Sequence, residues 1–357
     1  MTTMTQAPIE VVGGVDTHKD THTAAAVDRA GRLLGSRQFE ATPDGYRALL
    51  AWLASFGPVT LVGVEGTGAY GAGLARFLAV EQIPVVEIDR PDRKARRWQG
   101  KSDPVDAETA ARAALTARRT GTPKDRDGRV EALRSLRIAR RSAVKQRSDV
   151  IRQMQALVIT APEPLRSRLR ELGNVALVDR CATARPDLAD AADPTTAARI
   201  ALRHLARRHQ RLTEEIADLD NLLAPLVEAI NPALLALNGV GADVAGQLLV
   251  TAGDNPERLR SESAFAMLCG VAPLPASSGR TVRHRLNRGG DRQANAAIYV
   301  IVLCRLRWHE PTRAYAARRR AEGLSTKDII RCLKRYVVRD LFHALTHTTA
   351  QTPALAT

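Results

Sequence analysis

Four carboxylates stand out by where they fall. Asp16 closes the apolar run Val11–Val15 in Gly14-Val15-Asp16-Thr17-His18-Lys19-Asp20, and Glu65 closes Val59–Val64 in Val62-Gly63-Val64-Glu65-Gly66-Thr67-Gly68. Asp103 and Asp106 follow in Lys101-Ser102-Asp103-Pro104-Val105-Asp106-Ala107. Any one of them alone reads as a cap or turn residue, after a strand or before a proline. As a set they are hard oxygen donors that repel one another unless cations hold them, and such donors select magnesium or manganese. Two such ions about 4 Å apart activate a nucleophile and stabilise a leaving oxygen in phosphodiester chemistry. His18 and Lys19 come close enough behind Asp16 to reach a phosphate, although residues just past a strand are exposed by default.

A second chemistry is written near the other end of the chain. The loop Ala272-Pro273-Leu274-Pro275-Ala276-Ser277-Ser278-Gly279-Arg280 runs into Arg283-His284-Arg285-Leu286-Asn287-Arg288-Gly289-Gly290-Asp291-Arg292. A serine hydroxyl on a glycine-adjacent loop attacks phosphorus when arginines neutralise the charge that develops on the phosphate. Ser-Ser-Gly by itself is only a turn signature.

The carboxylates need elements to carry them. Thr23–Val27 and Leu33–Phe39 flank the turn Asp28-Arg29-Ala30-Gly31 as hairpin strands, giving with the first run three antiparallel strands. A helical pattern over Asp44–Phe56, a buried strand at Val59–Val64, a helix over Tyr70–Val80 and a strand at Ile83–Ile88 then alternate, which implies parallel pairing. A meander followed by alternating helix and strand is a ribonuclease H-like, or RuvC-like, α/β arrangement, with Asp16 and Glu65 at the sheet's carboxyl edge. Asp103 begins a helix that extends through Ala117; Pro104 suits its first turn, and a spacing of three sets Asp103 and Asp106 on one face.

In the middle, Arg129–Leu157 is helical and Arg-rich. Ala197–Ile230 carries a stripe of Leu202, Leu205, Leu212, Ile216, Leu219, Leu222 and Leu223, so that the two helices can pair as a coiled coil, in one chain or between chains. Arg137, Arg140, Arg141, Lys145 and Arg147 are either a nucleic-acid surface or the solvated face of that coil. Farther on, Leu235-Ala236-Leu237-Asn238-Gly239-Val240-Gly241 before Ala242–Val250 has the form of a helix-hairpin-helix, where Gly239 and Gly241 let backbone N–H groups approach a phosphate; a plain helical packing turn has the same form. The expected division is a metal-binding domain over 1–120, a helical linker over 121–230 and a basic, mainly α domain over 231–357.

Composition points the same way. A net charge of +15 suits a polyanionic partner, nucleic acid first. From Arg280 onward 16 Lys and Arg stand against 5 Asp and Glu, a surplus of 11. Lys94, Arg96 and Arg97, in the basic run Arg90–Arg97, are either a hold on a nucleic-acid backbone near the carboxylates or a solvated loop, while Arg280, Arg283, Arg285, Arg288 and Arg292 bring the charge beside the serines. No apolar run is long enough to span a bilayer and the start lacks a signal peptide, so a cytoplasmic, nucleoid-associated protein with no membrane partner is expected. Cys181, Cys269, Cys304 and Cys332 show no zinc-like or paired spacing and read as reduced.

These motifs together resemble a known family, the DEDD transposases of bacterial insertion sequences, or insertion-sequence 110 family. The resemblance rests on Gly14-Val15-Asp16-Thr17-His18-Lys19, Val64-Glu65-Gly66-Thr67-Gly68, Lys101-Ser102-Asp103-Pro104-Val105-Asp106-Ala107, Gly239-Val240-Gly241, Cys269-Gly270-Val271-Ala272-Pro273 and Ser278-Gly279, and covers nearly the whole chain. It implies that Asp16, Glu65, Asp103 and Asp106 bind magnesium (or manganese) and that Ser278 links covalently to DNA, with Ser277 as the alternative. It also implies donor and target DNA as substrates, a structured RNA from the element as guide, and a dimer or tetramer in which the metal domain of one subunit meets the serine domain of another. One departure is Leu286-Asn287-Arg288-Gly289, where many relatives have Ser-Lys-Arg-Gly; Arg288 and Arg292 supply the charge here. The rival readings are a RuvC-like junction endonuclease that cuts with water, an actin-like ATPase using Gly66-Thr67-Gly68 as a phosphate hairpin, and a non-catalytic scaffold.

Overall fold

The computed structural model describes residues 10–88, 102–117, 120–280 and 284–347. The chain divides into two compact units, one built from the chain up to Gly128 together with Ala252–Ala264, the other from Arg129–Thr251 and the chain from Phe265 onward.

The first unit is a mixed sheet between helices. Strands β1 (Val11–Thr17), β2 (Thr21–Asp28) and β3 (Leu33–Glu40) form an antiparallel meander, and β4 (Val59–Glu65) and β5 (Val85–Ile88) add parallel to β1. A two-residue strand, β6 (Thr120–Gly121), closes the order β3-β2-β1-β4-β5-β6. Helices α1 (Pro43–Ala54) and α2 (Ala72–Val80) cover one face, where Val11, Val15, Val62 and Val64 meet Leu49, Leu53, Leu74 and Leu78. Helix α3 (Asp103–Leu115) is associated with a second cluster, where Val12, Val27 and Ile88 meet Ala110, Ala111 and Ala114. Successive strand residues alternate between faces, so the positions that join Val12 on its face are Gly14 and then Asp16. The returning segment Ala252–Ala264 is fastened by Asn255, whose Nδ2 donates to Pro123 O and Asp125 Oδ1, both at 2.9 Å, and by Arg258 Nε donating to Thr122 O at 3.0 Å.

The second unit is mostly helical. Helices α4 (Arg129–Thr160) and α7 (Pro194–Ile230) lie antiparallel, since Arg140 Nη2 donates to Asp220 Oδ2 (3.2 Å) while Arg147 Nη1 donates to Thr213 Oγ1 (3.5 Å). Short helices α5 (Glu163–Leu169) and α6 (Asn174–Ala182) cap one end of the pair and share its core of Met154, Val158, Leu177, Leu202 and Ala206. After a single turn, α8 (Pro232–Leu235), come α9 (Ala242–Ala252), α10 (Glu262–Leu268), a minimal hairpin of β7 (Leu274–Pro275) and β8 (His284–Arg285), and α11 (Arg292–Trp308), α12 (Glu310–Ala321) and α13 (Thr326–His347). No helix among the described residues is long and apolar enough to cross a membrane, and all four cysteines are free.

Candidate metal centre and serine hairpin

The seating of α3 on the sheet decides the geometry of the acidic site. A Cβ on Gly14 would fall inside the backbone of Ala107 and Ala111, and one on Gly63 would lie 2.8 Å from Ala110 O. The two glycines therefore let the helix backbone rest directly on β1 and β4, facing a helix surface of alanine. Two residues beyond each glycine, on the same side of its strand, stand Asp16 and Glu65. Those strand ends are tied together by Thr17 Oγ1, which donates to Glu65 O at 2.7 Å. Ser102 precedes α3, and Asp103 and Asp106 occupy its first turn, where the positive end of the helix dipole offsets some of the repulsion between carboxylates.

Asp16, His18 and Asp103 each bring a ligand atom into a group in which all lie within 4.8 Å of one another. His18 Nδ1 stands 3.9 Å from Asp16 Oδ2. Asp16 and Asp106 are buried, while Glu65 and Asp103 are half-buried. Glu65, on the neighbouring strand end, and Asp106, one turn along α3, fall outside this three-residue group. A donor set of two carboxylates and one imidazole fits a divalent cation that prefers oxygen and tolerates nitrogen, manganese as readily as magnesium.

Two neighbours were not legible as site residues. Arg126, at φ +58°, sets its guanidinium 3.5 Å from where a side chain on Gly68 would begin, beside the loop that follows Glu65. His22, paired with Thr17 across the strands, is fully buried and stacked on Tyr46 at 5.6 Å. Burial holds its pKa below the usual histidine value, so the ring is neutral at pH 7 and brings no charge to the site.

In the second unit, Ser277 and Ser278 are exposed in the β7–β8 hairpin, and Gly279 after them takes φ +55° with open space around it. The root of this hairpin is closed tightly. A Cβ on Gly290 would fall on the backbone of Gly270; Asn295 Nδ2 donates to both Cys269 O and Gly270 O at 3.0 Å; and Asp291 N donates to Leu268 O at 2.7 Å. The Asp291 carboxylate caps α11 through Gln293 N and Ala294 N and accepts from Thr251 Oγ1. Arg280, Arg285, Arg288 and Arg292, on and just after the hairpin, are exposed; Arg283, like Lys94, Arg96 and Arg97, lies outside the described residues.

The two turn glycines differ. Gly239, at φ +80°, faces protein, with Ile301 O and Cys304 Cβ 3.3 Å from where its Cβ would stand, and the turn is held by the buried Arg305, whose Nε donates to Asn238 O at 2.9 Å. Gly241, before α9, has open space in the same position. The helix before them is the single turn α8, shorter than a full helix-hairpin-helix unit has. Of the middle arginines, Arg137 pairs with Asp243 at 2.8 Å and Arg140 with Asp220 and Asp243, so both bind the unit together.

The matches to known families define the class, an enzyme that cleaves DNA and transfers strands, a transposase. Residues 13–161 match a family described as Transposase, of the DEDD type, and residues 231–317 match the Transposase IS116/IS110/IS902 family, about two thirds of the chain between them. The chain belongs to the IS110 family of transposases. It is similar to the "Insertion element IS900 uncharacterized 42 kDa protein" of Mycobacterium paratuberculosis, 26% identical over 96% of this chain and 99% of that one. It is also similar to the "Insertion element IS110 uncharacterized 43.6 kDa protein" of Streptomyces coelicolor (strain ATCC BAA-471 / A3(2) / M145), 30% identical over 37% of this chain and 33% of that one.

Proposed function

We infer that this transposase cuts and rejoins DNA through the Ser278 hydroxyl, assisted by Mg2+ or Mn2+ held by Asp16, Glu65, Asp103 and Asp106. The observation that carries the reading is the backbone contact of α3 with Gly14 and Gly63, which sets Asp103 beside Asp16 and His18 within 4.8 Å. The strand order, a meander with two parallel additions, supports a ribonuclease H-like core, and the antiparallel α4–α7 pair supports a coiled-coil linker between a metal domain (1–120) and a serine domain (231–357).

In the reaction the Ser278 Oγ bonds to phosphorus as the P–O bond to one deoxyribose oxygen breaks. The serine proton is given up and the departing oxygen leaves as a hydroxyl. Attack by the hydroxyl of another strand reverses the step and frees the serine. Arg280, Arg285, Arg288 and Arg292, exposed on and just after the hairpin, neutralise the phosphate while charge develops on it. The bound cation supplies charge stabilisation to the phosphate and leaving oxygen. Asp16, Glu65 and the Asp103–Asp106 helix turn would hold that cation, with the His18 imidazole within reach as a further donor. In keeping with the family, donor and target DNA are the substrates, a structured RNA of the element is the guide, and a dimer or tetramer brings the metal domain of one subunit to the serine of another.

Purified protein, the element's RNA, donor and target DNA and Mg2+ test this, with Ser278→Ala, Ser277→Ala and Asp16→Ala beside wild type. Denaturing gels of wild type are expected to show protein-linked DNA and recombinant junctions; Ser278→Ala and Asp16→Ala are expected to show neither. Normal cutting by Ser278→Ala would make the chain a metal nuclease that uses water. Loss of the linked product in Ser277→Ala alone would move the nucleophile one residue back.

A further inference from the structure

A cavity of about 1410 Å³ in the second unit opens between the serine hairpin and helices α11–α13. It exceeds the usual volume of a small-molecule pocket. One wall is made by four hairpin residues, Ala276, which precedes Ser277, and His284, Arg285 and Leu286. The opposite wall is α13, which presents Lys327, Arg331, Lys334, Arg335 and Arg339 at helical spacing, a stripe about 18 Å long. With Arg285, six Lys and Arg face the cavity against one acid, Asp328, which already pairs with Arg331.

Aromatic rings stand between these cations. Tyr299 of α11 and Tyr336 of α13 are 40% and 49% exposed, and Tyr315 of α12 meets Tyr336 edge-on at 5.4 Å. Lys334 Nζ lies 5.1 Å over the Tyr299 ring while donating to Asn295 Oδ1 at 2.6 Å, and the Arg339 guanidinium lies 6.0 Å over Tyr336. Tyr299 and Tyr336 both line the cavity and keep exposed surface beside these cations. Asn295 also closes the hairpin root through Cys269 O and Gly270 O, so groove and serine loop share one support.

A duplex turns its charges outward and hides its base faces, and uses nothing of an exposed tyrosine. A single strand offers phosphates to a cationic stripe and base faces to aromatic rings. We propose that this groove holds a single strand of DNA, stacking its bases on Tyr299 and Tyr336, and leads the unpaired strand to Ser278; its link to the serine rests on the function inferred above.

The test uses the full chain in wild-type and Ser278→Ala forms with a fluorescent 12-nucleotide DNA strand, its duplex and the RNA of the same sequence, followed by anisotropy over a salt series. Tyr299→Ala and Tyr336→Ala are each expected to weaken strand binding about tenfold, with duplex binding changed less than twofold. Tyr→Phe at the same positions is expected to retain binding. Lys327→Ala is expected to lower the salt slope for the strand by about 0.7. Bromouracil in the strand is expected to crosslink wild-type protein at the Tyr299 or Tyr336 peptide, a readout that needs no variant to fold. Equal losses for strand and duplex, crosslinks elsewhere, or RNA bound more than tenfold tighter than DNA would overturn the proposal. Retained cleavage by Ser278→Ala, with strand binding lost in the tyrosine variants, would overturn the serine reading and leave the groove standing.

Discussion

At the scale of single residues, the acidic site depends on two that carry no charge. Gly14 and Gly63 set the distance between α3 and the strands, and hence between Asp103 and Asp16. Gly14→Ala is expected to force α3 off β1, at a cost of about 1–3 kcal/mol in urea denaturation, as overpacking of a filled core costs. DNA cleavage is expected to fall with it. Gly121→Ala, where nothing lies within 4 Å, is the control and is expected to shift stability by less than about 0.5 kcal/mol. Equal stability of the two variants would mean that α3 is free to move away from the sheet.

At the scale of elements, the apolar stripe of α7 divides into residues that seal the pair with α4 and residues that do not. Leu202 is buried in that core, whereas Leu222 is 57% exposed. Leu202→Ala is expected to cost about 2–5 kcal/mol and Leu222→Ala less than about 0.5, read from urea midpoints at constant slope; comparable losses would instead point to Leu222 as covered by a second chain. The sequence pattern placed most of these elements within a few residues, because period-two and period-3.6 runs are local signals. Ile83 lies just outside β5, and helix α2 begins at Ala72, past the turn that Gly66 opens at φ +72°. Less local features were illegible. That Ala252–Ala264 returns to the first unit depends on Asn255 and Arg258 reaching Pro123 and Thr122, more than a hundred residues away. The acids at Asp16 and Asp103 were visible as residue types at strand and helix ends. His18 stood out only as a reach toward phosphate behind Asp16, and the fold makes it a companion of the acids; Arg126 beside Gly68 occupies no spacing that singles it out.

At the scale of the molecule, charge decides how the chain meets its substrate. Of a net +15, most lies from Arg280 onward, and Arg280, Arg285, Arg288 and Arg292 remain exposed. Affinity for duplex DNA is therefore expected to fall steeply and linearly on a log–log plot against salt. Arg288→Ala with Arg292→Ala is expected to lower the slope by about 0.9 for each phosphate that is no longer neutralised. An unchanged slope would place the DNA elsewhere on the chain. Arg137 and Arg140 are expected to contribute little to that slope, because their guanidinium groups already hold Asp243 and Asp220.

The closed root of the serine hairpin has a consequence for how such a chain diversifies. Gly270 and Gly290 touch through backbone, and Asn295 and Asp291 clamp the strands that enter and leave. The stretch between is tied to the body of the protein at both ends and, just before Gly290, by Asn287, whose Nδ2 donates to Met267 O at 3.0 Å. A hairpin exchanged at those two glycines with Asn287 kept is therefore expected to leave the helices beneath folded, read as an unchanged urea midpoint.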